Sequence, residues 1–167
     1  MNYHKITKND MLNGQGIRTV LWVSGCSHNC IHCHNPQTHD VNSGILFDNS
    51  AMKELINSLK YDYVKGITFS GGDPLHINNR QAIAEISSKI KELYPNKDQW
   101  LYTGYTLEEI LSSKEMTECI KNIDVLIDGR FEINKRDISL KWRGSSNQRI
   151  IDVQRSFEKG KIILYDE

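Results

Sequence analysis

Arg18-Thr19-Val20-Leu21-Trp22-Val23-Ser24-Gly25-Cys26-Ser27-His28-Asn29-Cys30-Ile31-His32-Cys33 runs an apolar, β-branched segment straight into a loop that carries three thiols. The first seven residues have the composition of a buried strand, and Gly25 stops it, so the strand delivers Cys26 at its C-terminal end. The thiols follow a C-x3-C-x2-C spacing. One short loop can then wrap a small object and bring three thiolates to one side of it. Thiolates suit zinc or an iron–sulfur cluster. His28, His32, His34 and His39 stand close enough in sequence to complete a Cys3His zinc site, so the loop alone leaves both metals open. Three of the four cysteines fall between Cys26 and Cys33, a poor arrangement for a disulfide framework. The stretch from Met1 to Met11 is polar and lacks the apolar centre of a secretory signal. Clustered thiols without such a signal point to metal binding in a reducing cytoplasm. Cys119 lies far from the others, in helical sequence beside Ile120, where a thiol packs as a small hydrophobe.

Downstream, Ser50 is placed to cap a helix with Met52, Leu55, Ile56 and Leu59 on one face. Gly66 to Ser70 reads as a second strand, stopped by Gly71-Gly72. Asn78 or Asn79 opens a helix with Ile83, Ile86, Ile90 and Leu93 at helical spacing, and Pro95-Asn96 ends it. Gln99 to Thr103 is a third strand. Thr106 and Glu109 have the form of a capping box, with helical sequence from there to about Ile120. Ile123 to Asp128 is a fourth strand ending at Gly129. Residues 130–147 have little periodicity and read as loop, and Arg149 to Val153 and Lys161 to Tyr165 read as short strands. No repeat or linker divides the chain, so residues 1–167 read as a single domain. Strands alternating with helices predict an α/β fold of parallel strands with helices outside. Four to six strands are too few for a closed eight-stranded barrel, so an open partial (β/α) barrel fits the length.

Composition excludes more than it identifies. Hydrophobic residues make up 38% and charged residues 25%, and 21 basic residues balance 21 acidic ones. No basic field argues for nucleic acid. No apolar run approaches the roughly 20 residues that span a bilayer, so no membrane partner is expected.

In parallel α/β folds chemistry gathers at the C-terminal strand ends. The cysteine loop, Ser70-Gly71-Gly72-Asp73-Pro74, Tyr102-Thr103-Gly104-Tyr105 and Asp128-Gly129 all fall there. Paired glycines let a backbone approach a ligand closely, although a plain tight turn would use them equally well. The spacing Cys26, Cys30, Cys33, the run Asn13-Gly14-Gln15-Gly16-Ile17-Arg18, the string Ser70 to His76 and the segment Leu140 to Ile150 together resemble radical S-adenosylmethionine (SAM) enzymes. Within that superfamily they resemble the glycyl-radical-enzyme activases, and most closely the branch that serves anaerobic ribonucleotide reductase.

The resemblance implies a radical SAM fold with a [4Fe–4S] cluster on Cys26, Cys30 and Cys33, and S-adenosyl-L-methionine as the second cofactor. It further implies SAM contacts from Ser70, Gly71, Gly72 and Asp73 at the methionine end. Thr103, Asp128, His32 and Arg143 are the remaining candidate contacts, with Asp128 meeting ribose hydroxyls or pairing with Arg130. His32 holds the position where many relatives place an aromatic residue beside adenine. The implied activity is reductive cleavage of SAM and formation of a glycyl radical on the large subunit of anaerobic ribonucleoside-triphosphate reductase, with an electron donor such as flavodoxin. No side chain is required as acid or base. Two other readings stay open on the residues: an activase of another glycyl-radical enzyme or a small-molecule radical SAM enzyme, and a non-enzymatic zinc-binding interaction module.

Overall fold

The computed structural model describes residues 1–166. Among them are seven strands in one sheet: β1 (Asn2–Asp10), β2 (Ile17–Val23), β3 (Ile45–Leu46), β4 (Val64–Gly71), β5 (Asp98–Tyr102), β6 (Val125–Asp128) and β7 (Arg149–Asp152). Five α-helices accompany them: α1 (Asn49–Ser58), α2 (Arg80–Leu93), α3 (Leu107–Leu111), α4 (Lys114–Ile120) and α5 (Val153–Lys159). The sheet runs β3-β1-β2-β4-β5-β6-β7 and does not close. Its centre, β2-β4-β5-β6, is parallel. Both margins are antiparallel, β1 with β2 and β3 on one side and β7 with β6 on the other. The all-parallel expectation is therefore corrected to a mixed sheet with a parallel centre.

Alternation along the strands explains the layering. Leu21, Phe69, Leu101 and Leu126 point to one face and share a core with Leu55 of α1, Ile83 and Ile86 of α2, and Ile120 of α4. Trp100, Val125, Ile127 and Ile150 point to the other face and form a smaller cluster, with Trp142 and Tyr165 packed against it. Arg18 is wholly buried there. Its Nε donates to Thr68 Oγ1 at 2.8 Å, Nη2 pairs with Asp98 Oδ1 at 2.6 Å, and the guanidinium lies 5.0 Å from the Trp100 ring.

Local chemistry moved several expected boundaries. Asp48, not Ser50, caps α1, its carboxylate accepting from the N–H groups of Ser50 and Ala51 at 2.9 Å each. The Thr106–Glu109 capping box forms as expected. The helix it opens, however, breaks at Ser112, and Ser113 caps a new one. The last expected strand is reduced to one bridge, Ile151 with Leu164. The short helix α5 lies in front of it, capped by Asp152 and ended by Gly160 at φ +60°. No helix among the described residues is long and apolar enough to cross a membrane.

Candidate cluster and cofactor cleft

The C-terminal ends of β2, β4 and β5 and the start of the loop after β6 open onto one cleft of about 320 Å³. Cys26, Cys30 and Cys33 line it, and none of the three is in a disulfide. Ser70, Gly71, Gly72, Asp73 and Thr103 line it as well. Segments from three separate strand ends thus converge as the sequence predicts.

The glycine pair has a reason beyond ligand approach. Gly71 sits at φ +106°, and a Cβ there would lie 2.6 Å from the backbone N and O of Val23. A Cβ on Gly72 would lie 2.5 Å from Gly25 O. Without side chains the turn closes onto the end of β2: Gly72 N–H donates to Val23 O at 2.8 Å and Asp73 N–H to Gly25 O at 2.7 Å. The Gly-Gly turn and the root of the cysteine loop are one hydrogen-bonded unit. Asn79, expected only to open α2, makes no cap bond. Its buried Nδ2 donates instead to Ser24 O and Asp73 O, at 2.8 and 2.9 Å.

Asp73 is 2% exposed and its carboxylate is filled by the chain itself. It accepts from Thr103 Oγ1 at 2.9 Å, Gly104 N–H at 3.1 Å, Leu75 N–H at 2.8 Å and His28 Nε2 at 2.6 Å. The His28 ring also meets Tyr105 edge-on, with centroids 4.6 Å apart. His28 entered the sequence reading only as a possible zinc ligand. Its partner lies 45 positions away, so only the shared C-terminal edge of β2 and β4 brings the two together.

The other candidates fall outside the cleft lining. His32 is exposed, at φ +57°, while His34 lines the cleft and packs on Phe131 with centroids 5.0 Å apart. Asp128 is buried and pairs with Arg149, not Arg130: Arg149 Nε donates to Oδ1 at 3.0 Å and Leu107 N–H to Oδ2 at 2.8 Å. Arg143 Nη1 donates to Gln148 O at 2.8 Å, which holds the loop whose Gly144 and Gln148 form one wall of the cleft. Trp142 anchors the same loop, its ring edge-on to Trp100 at 5.1 Å.

Burial pushes the Cys26 thiol up to about 11 and raises Cys30 as well. Such thiols stay protonated at neutral pH unless a metal displaces the proton. Asn35 N–H lies 3.4 Å from Cys33 Sγ, the kind of N–H···S bond that stabilises a bound thiolate. Three unbridged sulfurs lining one cleft are the donor type an iron–sulfur cluster takes, while among the described residues no three Cys, His, Asp or Glu side chains are gathered as around a single metal ion. Cys119 is buried at 2% exposure beneath α2 and is remote from this wall.

Comparison with known proteins gives the same chemistry independently. Residues 12–151 match the family model described as a 4Fe–4S single cluster domain. An anaerobic ribonucleoside-triphosphate reductase-activating protein of Enterobacteria phage T4 is 44% identical over 150 residues, 90% of this chain and 93% of that protein. The protein of the same name from Escherichia coli K12 is 45% identical, over 89% of this chain and 96% of its own length. That from Haemophilus influenzae is 43% identical, over 90% and 97%. With identity at this level along nearly the whole of both chains, and a cluster-domain match spanning all three cleft cysteines, this chain belongs to the family of anaerobic ribonucleoside-triphosphate reductase-activating proteins.

Proposed function

We propose that this chain is a radical SAM activase that generates a glycyl radical on the large subunit of anaerobic ribonucleoside-triphosphate reductase. The observation that carries the reading is the convergence of Cys26, Cys30 and Cys33 with the Gly71-Gly72 turn and Thr103 on one cleft. The partner comes from the name its relatives bear. On this reading the open sheet is a partial (β/α) barrel of radical SAM type, and residues 1–167 act as one cytoplasmic domain.

Cys26, Cys30 and Cys33 would hold the [4Fe–4S] cluster, and three protein sulfurs for four irons leave one iron for the amino and carboxylate groups of SAM. When bound, the pair would supply one-electron reductive cleavage of SAM, fed by a flavodoxin-type donor, to methionine and a 5′-deoxyadenosyl radical able to take a hydrogen atom from a glycine Cα of the partner. The chain's own residues bind, orient and exclude water. Ser70 and the backbone of Gly71 and Gly72 offer polar groups to the methionine end of SAM. Asp73, already filled by four donors, shapes that turn. His34 on Phe131 supplies the flat ring on the cleft wall that the sequence reading gave to His32. Asp128 and Arg143 act from behind, fixing the start of α3 and the loop at 144–148.

The test is metal and acid-labile sulfide on anaerobically reconstituted protein, followed by dithionite and SAM. About four iron and four sulfide per chain, with methionine and 5′-deoxyadenosine released, are expected. Stoichiometric zinc without sulfide, after iron reconstitution had failed, would contradict the reading and favour a structural thiolate site.

A further inference from the structure

His28 lies inside the cysteine loop, two residues after Cys26 and two before Cys30, and its ring bonds Asp73, on the turn after β4. The side chain is 5% exposed. Three neighbours fix it in place. Asp73 accepts from Nε2 at 2.6 Å, Tyr105 meets the ring edge-on, and Gly104 leaves the room: a Cβ on Gly104 would lie 2.4 Å from His28 Cδ2. Asp73 is held in turn by the Thr103 hydroxyl and the N–H groups of Gly104 and Leu75. One buried carboxylate thus ties the middle of the cysteine loop, the Gly-Gly turn after β4 and the end of β5 into a single unit.

We infer that His28 is a positioning residue that acts through Asp73, setting the separation between the cysteine loop and the Gly71-Gly72 turn. The inference rests on the reading above, in which SAM reaches from the open iron to that turn. A ligand that spans two segments binds only as tightly as their spacing is preorganised. Among the groups facing the cleft, the His28–Asp73 bond joins the two segments that SAM would span. On this inference His28 acts through the carboxylate to which its Nε2 is bonded, not as a participant in the chemistry.

The test compares wild type, His28→Ala and His28→Gln after anaerobic reconstitution. Iron, sulfide and the SAM dissociation constant are measured, the last from the change SAM causes in the reduced-cluster EPR spectrum. Glutamine places an amide N–H near the position of Nε2, so it restores the bond to Asp73, but it is a poor metal ligand. His28→Ala is expected to weaken SAM binding about tenfold or more, the scale of a hydrogen bond to a charged group. His28→Gln is expected to recover most of that loss. Unchanged SAM affinity in His28→Ala would overturn the inference. Iron loss in His28→Ala that glutamine fails to restore would also overturn it, because it would make His28 a ligand; iron loss that glutamine does restore would support it. A wild-type chain that takes up no iron and sulfide would overturn the functional reading and the inference with it.

Discussion

At the scale of single residues, the proposed function separates side chains that would touch the chemistry from those that hold them. Cys26, Cys30 and Cys33 share its wall, whereas Cys119 is buried under α2. Replacing any one of the first three by alanine should abolish SAM cleavage and reduce bound iron, and Cys119→Ala should leave iron content at the wild-type value. Equal iron loss in Cys119→Ala would contradict the three-sulfur assignment. Gly104 gives a second prediction. Its absent Cβ is the space that His28 fills, so Gly104→Ala should destabilise the fold by about 1–3 kcal/mol, the usual range for overpacking, measured by urea unfolding of the apoprotein. That Cys26, Cys30 and Cys33 gather at one cleft was legible in the sequence because their spacing is local. His28 was not, because a histidine between two cysteines is a ligand candidate by type, and only the fold shows that its ring is taken by Asp73. Asp128 was legible as a buried strand-end acid in need of a partner, but that partner is Arg149, 21 positions away, not its neighbour Arg130.

At the scale of elements, the strands that read clearly were those buried on both faces. β2, β4, β5 and β6 are largely buried on both faces, by the helices on one and by Trp142, Tyr165 and the late loop on the other. β1 escaped notice because only Tyr3 among its nine residues is buried, so its sequence carries no strand pattern. The end of the sheet is fastened by charge: Arg149 of β7 bonds Asp128 of β6 and also Glu108 of α3, at 3.0 Å from Nη1 to Oε1. Removing the guanidinium leaves the Asp128 carboxylate buried with only the Leu107 N–H. Arg149→Met should therefore cost about 3 kcal/mol, seen as a lower denaturation midpoint. The hydrogen bond from Arg149 holds the Glu108 carboxyl down to about 2, below its ordinary 4.5. Its contribution is complete above the ordinary value and is lost as pH falls through the depressed one. The stability gap between wild type and Glu108→Gln should be under about 1 kcal/mol at pH 7, because Glu108 is exposed, and should vanish between pH 4.5 and 2. A gap that widens on acidification would contradict the pairing.

At the scale of the molecule, one mixed sheet carries helices on one face and turns Arg18, Trp100 and the loop at 130–148 to the other. The α/β class followed from alternating strand and helix patterns. The antiparallel margins did not, because β1 and β7 join the sheet through backbone pairing that leaves little trace in side-chain type. What the whole chain builds is a cleft at the C-terminal ends of parallel strands, lined by thiols and glycines, and relatives matched over nearly all of their length are named for activating anaerobic ribonucleoside-triphosphate reductase. The most direct test of the account mixes the reduced, cluster-loaded chain with the large subunit of that reductase and SAM under anaerobic conditions, and records the EPR spectrum. A glycyl doublet on the reductase that requires SAM and disappears when Cys26, Cys30 or Cys33 is replaced is the predicted result. Release of 5′-deoxyadenosine with no radical on the reductase, or no SAM cleavage by a fully cluster-loaded chain, would contradict it.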